Sequence, residues 1–348
     1  MRVAVVGATG NLGTALLRRL VVEPAVTSLA GVSRRPPGAT PAPPFDAVDW
    51  LSVDIGDAAA VPALTAHLRG ADAVVHLAWR IQPTHDESLL WRTNVDGTRH
   101  VLAAAAAAGV PNVVVASSVG AYSPASKDAP VDETWPTDGI RSSAYSREKV
   151  VVERLLDLFE HDHPDVRVAR LRPGLVFAGD AASEIARFFL GPFVPTSVLG
   201  RLRLPFLSLP RQLQFPAVHA DDVAAAFWTV LAARATGAFN VAAEPVLTPP
   251  LLARALGAGG SRHVPLALVR ALAALTWKLR LQPSDAGWVD IASQCPTMRT
   301  DRLEALGWAP TRSATSALEE LVEGMRTGRG GPGPALRRRG AVTGRAAR

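Results

Sequence analysis

Val3-Ala4-Val5-Val6-Gly7-Ala8-Thr9-Gly10-Asn11-Leu12-Gly13 decides how this chain is read. Four apolar residues run straight into a turn with glycine at every third position, and an apolar helical stretch, Asn11 to Val22, follows. Strand, glycine turn and helix together present free backbone N–H groups and the positive end of a helix dipole to a phosphate. Gly7 permits a tight exit from the strand, Gly10 lets backbone approach a pyrophosphate, and Gly13 lets the helix pack closely. Three glycines alone are weak evidence; between a strand and a helix they predict a dinucleotide site.

Outward from that turn, short β-branched runs alternate with helical stretches. Leu29 to Val32, Trp50 to Val53, Ala73 to Leu77, Asn112 to Ala116 and Val166 to Leu171 read as further strands. Asp57 to Leu68, Ser88 to Ala108 and Ser142 to His161 read as helices between them. The strands are apolar without alternation, which predicts an α/β fold with a doubly wound parallel sheet covered on both faces. Proline-dense Pro36 to Pro44 reads as a surface loop. Beyond Pro173 the regularity fades, then Pro216 to Val223 and Ala238 to Ala242 read as a return to the sheet. The expected organisation is a dinucleotide-binding domain over 1–172 with 216–243. A smaller, mostly helical substrate lobe spans 173–215 with 244–326, and a disordered basic tail spans 327–348.

Composition narrows the class. The 348 residues carry a formal charge of +6. Between Arg326 and Arg348, however, lie seven arginines and no acid, which more than accounts for the excess. The basicity belongs to a Gly-, Pro- and Arg-rich end, so it predicts no nucleic-acid partner. The single cysteine, Cys295, excludes an intrachain disulfide and suits a reducing cytoplasm. Val264 to Leu281 is the most hydrophobic later stretch, but Pro265, Arg270 and Lys278 interrupt it, and it falls short of the roughly 20 apolar residues of a membrane span. It reads as a buried or lid helix, with interfacial membrane contact as the alternative.

Tyr145 and Lys149 stand four residues apart on one predicted helix, hence on one face. An ammonium beside a phenol favours the phenolate, so Lys149 is expected to depress the Tyr145 pKa. After the second strand the chain reads Gly31-Val32-Ser33-Arg34-Arg35, without the acid that binds ribose hydroxyls in NAD enzymes. Guanidinium groups match a phosphate, which favours NADP over NAD. Asp54 is placed to accept a hydrogen bond from an adenine amino group. No histidine, cysteine or carboxylate cluster has metal-ligand spacing.

Taken in order, Gly7-x-x-Gly10-x-x-Gly13, Asp54, Asn94-Val95-Asp96-Gly97-Thr98, Ser117 to Tyr122 and Tyr145-x-x-x-Lys149 resemble the extended short-chain dehydrogenase/reductases, and within them the NAD-dependent epimerase/dehydratase family. Arg172 to Phe177, Val218 to Val223, Phe239-Asn240-Val241 and Leu306 to Pro310 are similar to that family's later signatures. The resemblance implies a Rossmann fold and an enzyme that transfers hydride between nicotinamide C4 and a carbonyl or secondary alcohol. It assigns Tyr145 as general acid/base, Lys149 to the nicotinamide ribose, and Ser118, four before Tyr122, to the substrate oxygen. It places the cofactor against Gly7, Thr9, Gly10, Asn11, Leu12, Gly13, Ser33, Arg34, Asp54, Ile55, Leu77, Ala78, Asn94, Lys149 and Pro173.

His76 reads as a turn-stabilising residue. Pro173-Gly174 stands where nucleotide-sugar enzymes of the family often carry asparagine, and Phe188 to Pro195 is strongly apolar. These departures favour a small-molecule reductase or dehydrogenase. A nucleotide-sugar 4-epimerase or dehydratase is the alternative, with Arg201, Arg203 and Arg211 supplying charge for a diphosphate; a non-catalytic dinucleotide sensor is another. A homodimer through the Ser88 and Ser142 helices is consistent with the resemblance.

Overall fold

The computed structural model describes residues 1–81, 84–190 and 204–336. Its strands are β1 (Arg2–Val6), β2 (Ser28–Ser33), β3 (Val48–Ser52), β4 (Ala73–His76), β5 (Asn112–Ala116), β6 (Arg167–Pro173), β7 (Leu175–Phe177), β8 (Leu207–Leu209), β9 (Phe215–His219), β10 (Gly237–Val241), β11 (Ala243–Leu247) and β12 (Ser261–His263). The helices are α1 (Asn11–Val21), α2 (Val61–Leu68), α3 (Glu87–Trp91), α4 (Gly97–Ala107), α5 (Ala144–Asp162), α6 (Ala182–Ile185), α7 (Ala220–Ala232), α8 (Pro249–Ala255), α9 (Leu266–Lys278), α10 (Ala286–Gln294), α11 (Asp301–Glu304) and α12 (Ala314–Thr327).

Strand β1 shows why the sheet lies at the centre. Val3 and Val5 point to one face and join Leu16, Leu20 and Phe227 of α1 and α7. Ala4 and Val6 point to the other and join Leu64, Leu102 and Val152 of α2, α4 and α5. A strand apolar on both sides needs helices on both sides. The seven-stranded sheet runs β10-β6-β5-β4-β1-β2-β3, all parallel. Strand order reverses around β1, whose last residue, Val6, pairs with Val32 on one side and His76 on the other. Ligands of doubly wound sheets bind outside the strand ends at such a switch point.

Turn geometry fixes the mouth of that switch point. Gly7 has φ +89°, and a Cβ there would lie 2.5 Å from the Ala78 nitrogen. A Cβ on Gly13 would lie 2.3 Å from the Gly7 oxygen. Only hydrogen at both positions lets α1 and the chain after β4 close on the turn.

Two elements depart from the sequence reading. Strand β9 leaves the main sheet and pairs with β7 and β11 in a separate three-stranded sheet; of the returning segments only β10 joins the large sheet, beside β6. Helix α9, read from the sequence as a buried or lid helix, has no buried residue, which removes the first of those readings. Leu268, Leu272 and Leu275, with Leu279 at its end, are exposed, while Leu266, Val269, Ala273 and Trp277 are part-buried.

The later motifs hold one another. Asp222 at the start of α7 accepts hydrogen bonds from Thr311 N (2.8 Å) and Thr311 Oγ1 (2.6 Å), while Trp308 Nε1 donates to the Asp222 carbonyl at 2.9 Å. Arg172 grips Glu153 through Nε (2.9 Å) and Nη2 (2.8 Å) and donates to the Tyr122 hydroxyl at 3.0 Å. Tyr122 in turn donates to Asn240 Oδ1 at 2.7 Å. These signature residues form a buried frame beneath the sheet ends.

Candidate active site

An open crevice of about 900 Å³ lies over the carboxyl ends of β1 to β4. Of the residues predicted to hold a cofactor, Gly7, Thr9, Gly10, Ser33, Arg34, Asp54, Ile55, Leu77 and Ala78 line it. Asn11, Leu12 and Gly13 form the first turn of α1 behind Gly10, which N-caps that helix without any side-chain cap. Thr9 Oγ1 and Ser33 Oγ hydrogen-bond at 2.8 Å, tying the glycine turn to the end of β2. Asp54 Oδ1 accepts from Gly56 N at 3.0 Å, and its other oxygen lies 4.0 Å from Arg34 Nη1. Arg35 and Arg80 also line the crevice. Burial and the Arg34 charge lower the Arg80 pKa, so the basic groups repel one another there. Buried donors Trp79 Nε1 and Arg80 Nε have no partner among the described residues. Unpaired buried donors are costly, and a crevice with surplus positive charge, orphaned donors and an uncapped helix N-terminus fits an anionic dinucleotide.

Asn94 does not line the crevice. It sits fully buried in a π-helical turn, Arg92–Asp96, accepting from Arg80 N (2.7 Å) and donating to Arg80 O (3.0 Å) and to Glu148 Oε2 (2.7 Å). It positions the loop after β4. Pro173 ends β6 opposite Val241, away from the crevice wall. His76 Nε2 meets Thr98 Oγ1 at 2.9 Å, and burial drives its pKa down to about 3, leaving it neutral.

The start of α5 brings the chemistry together. Ser143 caps the helix by accepting from Ser146 N, so Tyr145 stands in the first turn and Lys149 in the second. The neighbouring serines divide their tasks. Ser117 Oγ donates to Glu153 Oε1 at 2.5 Å in the buried frame. Ser118 Oγ accepts from Gly120 N at 3.0 Å and hydrogen-bonds the Tyr145 hydroxyl. The Tyr145 ring packs edge-on against Trp79 at 5.9 Å and lies tilted to Trp288 at 5.1 Å.

The expected depression of Tyr145 by Lys149 is not what the structure shows. Burial pushes Tyr145 up to about 12; the Ser118 hydrogen bond opposes this and Glu148 adds to it. Lys149 Nζ points elsewhere, donating to Ala116 O at 2.8 Å and lying 3.4 Å from the centre of the Trp79 ring. Burial also lowers Lys149 to about 7, against the pull of Glu153 and Glu148, so its charge is weakened near neutrality. Burial raises the Glu148 carboxyl to about 7 despite the Asn94 hydrogen bond.

On the far side of Tyr145 a second cleft, of about 740 Å³, is bounded by Arg80, Glu87, Glu148, Asp285, Trp277 and Trp288. His85 stacks on Trp277 at 3.8 Å with the planes 13° apart. The apolar wall expected over Phe188 to Pro195 is described only in part: Phe188 is buried, while residues 191–203, with Arg201 and Arg203, lie outside the described residues. Arg211 is exposed.

One part of the crevice wall comes from the other end of the chain. Over 328–336 the chain, expected to be a disordered end, turns back after α12. Arg329 Nε meets Asp180 Oδ1 at 3.0 Å, Ser183 Oγ donates to Arg329 O at 2.8 Å, and Leu336 is buried in the core. Gly333 passes so close that a Cβ would lie 3.0 Å from the Thr9 oxygen, and Pro334 and Ala335 line the crevice. Residues 337–348 lie outside the described residues. Arg35, read together with Arg34 from the sequence, lines the crevice, whereas Trp79, Arg80, Glu184 and this strap are crevice residues that sequence reasoning missed. His76-Leu77-Ala78-Trp79 was the available signal for Trp79; nothing local marks the strap. Among the described residues no cluster of three or more His, Cys, Asp or Glu side chains could hold a metal, and no helix is long and apolar enough to cross a membrane.

Comparison with known proteins gives the class. The chain belongs to the NAD dependent epimerase/dehydratase family, whose profile matches residues 3–242. It is similar to a 3-diazoavenalumate denitrifying reductase of Streptomyces, 29% identical over 89% of this chain and 96% of that protein. The L-arabinose 1-dehydrogenase (NAD(P)(+)) of Haloferax volcanii is 27% identical over 53% of this chain and 70% of its own length. Uncharacterized proteins of Mycobacterium tuberculosis and Mycobacterium bovis are 36% identical over 34% of this chain, but the match spans only 12% of their length. The fold is that of Thermus thermophilus UDP-glucose 4-epimerase in complex with NAD, with a TM-score of 0.68 and 21% identity over 94% of this chain and 99% of that one.

Proposed function

We propose that this protein is an NADP-preferring oxidoreductase that reduces a carbonyl, or oxidises the corresponding secondary alcohol, with Tyr145 as proton donor and acceptor. The supporting observation is Trp79, which both lines the basic crevice and packs against Tyr145. The phenol therefore stands one ring's width from the dinucleotide site and hydrogen-bonds Ser118. A bound nicotinamide dinucleotide supplies or accepts the hydride. Tyr145 gives its proton to the substrate oxygen as hydride arrives on carbon, and takes one back in the reverse direction. Ser118, steadied by Gly120 N, orients that oxygen. Lys149 is the donor assigned to the nicotinamide ribose.

Burial pushes the Tyr145 pKa up to about 12, so the phenol is protonated at neutral pH, the form that gives a proton when hydride arrives on a carbonyl carbon. The second cleft sets Glu87, Glu148 and Asp285 against a single arginine, Arg80, a lining poorer in cations than a diphosphate calls for, which favours an uncharged carbonyl substrate over a nucleotide sugar. Two relatives, the reductase and the arabinose dehydrogenase, carry oxidoreductase names in keeping with this reading. The test is Tyr145→Phe. It should lower carbonyl-dependent NADPH oxidation by about 10²-fold or more while leaving NADPH affinity within about threefold. Unchanged turnover would sink the assignment; dinucleotide binding without turnover in the wild type would favour the sensor.

A further inference from the structure

Helix α9 carries two opposed faces, and only one of them has a partner in the described structure. Inward, Trp277 stacks on His85 in the wall of the second cleft, and Arg270 Nε binds Asp290 at 2.8 Å. Outward, Leu268, Leu272, Leu275 and Leu279, spaced to fall on one side of a helix, are between 54% and 61% exposed, and Leu281 beyond the helix end is 50% exposed. Exposed Ala267 and Ala271 widen the stripe. Large apolar side chains left in water as a contiguous group mark an interaction surface rather than ordinary surface scatter.

Charge selects the partner. From Val264 to Leu281 the chain contains Arg270, Lys278 and Arg280 and no acid. With Arg270 held by Asp290, exposed Lys278 and Arg280 flank the leucines with no carboxylate partner among the described residues. A second copy of the chain would meet the leucines but would bring the same cations and no countercharge. An anionic lipid surface supplies both the apolar layer and the negative charge, and a helix with this division of faces lies in the plane of such an interface. We propose that α9 docks the protein onto anionic membrane surfaces through Leu268, Leu272, Leu275 and Leu279, with Lys278 and Arg280 at the headgroups. Trp277 on the opposite face then holds the second cleft directly above the bilayer surface.

Sedimentation of the full-length protein with phosphatidylcholine vesicles containing about a third phosphatidylglycerol tests this. The wild type should pellet with those vesicles at least about tenfold more than with phosphatidylcholine alone. Leu272→Ser/Leu275→Ser should remove most of that binding without changing the melting temperature or NADPH affinity. Lys278→Glu/Arg280→Glu, which leaves the leucines intact, should weaken binding to the anionic vesicles in the same direction and serves if the leucine variant fails to fold. Binding that survives the leucine substitutions would belong to the arginines of 337–348 and would overturn the proposal. So would an absence of binding, or a wild-type dimer that the leucine substitutions make monomeric.

Discussion

At Tyr145 two physical influences compete, and their sizes explain why a motif can be legible while its electrostatics are not. Helical spacing places the phenol and Lys149 on one face, as read from the sequence. Desolvation then outweighs the neighbouring ammonium, because Lys149 is itself buried, lowered to about 7 and turned toward Trp79 and Ala116 O. Glu148, between them in sequence, is the group the motif does not announce. Its pKa is raised from 4.5 to about 7, so the folded protein binds the proton more tightly than the unfolded chain. That preference contributes stability fully below pH 4.5 and loses it as pH rises through 7. Glu148→Gln should therefore stabilise the cofactor-free protein above pH 7, by at most about 3 kcal/mol, and make little difference near pH 4; thermal melts across that range check it. At the crevice, Arg34→Ala should remove most of the preference for NADPH over NADH, a change of about tenfold in the affinity ratio. Equal affinities in the wild type would defeat the NADP reading.

Elements were legible where local pattern alone dictates them. Strand β1, the glycine turn and α1 follow from β-branched residues, Gly7 and Gly13, and apolar spacing. Their tolerance to change is correspondingly small: Gly13→Ala places a Cβ about where the Gly7 oxygen approaches, so the turn must shift. That variant should lose about tenfold or more in dinucleotide affinity, measured by titration, while far-ultraviolet circular dichroism stays native. Strand β9 and helix α9 were less legible for a common reason. Phe215–His219 is apolar enough for either sheet, and only its pairing with β7 and β11 decides between them. The Val264 to Leu281 stretch is hydrophobic in composition, yet composition does not say whether leucines face a core or the outside. Tertiary contacts, absent from any local window, make both decisions. The same holds for Asn94: its residue type signals a site, but its partners, Arg80 and Glu148, show that it acts through a loop.

Across the whole molecule, the crevice opened by Gly7 is completed by Pro334 and Ala335, more than three hundred positions away. The low-complexity composition of 328–336 hides this, since Gly and Pro carry no periodicity, and the contacts that anchor the strap, buried Leu336 and the Arg329 bonds to Asp180 and Ser183, are tertiary. Ending the chain at Gly328 should open the crevice along the strap's side. The expected result is faster NADPH dissociation, by about tenfold, with a melting temperature a few degrees lower from the loss of Leu336 burial; stopped-flow fluorescence and thermal melts measure the two separately. Synthesis adds a temporal consequence. The glycine turn leaves the ribosome more than three hundred residues before Pro334 and Ala335 do, so a nascent chain can fold its sheet long before it can enclose a nucleotide.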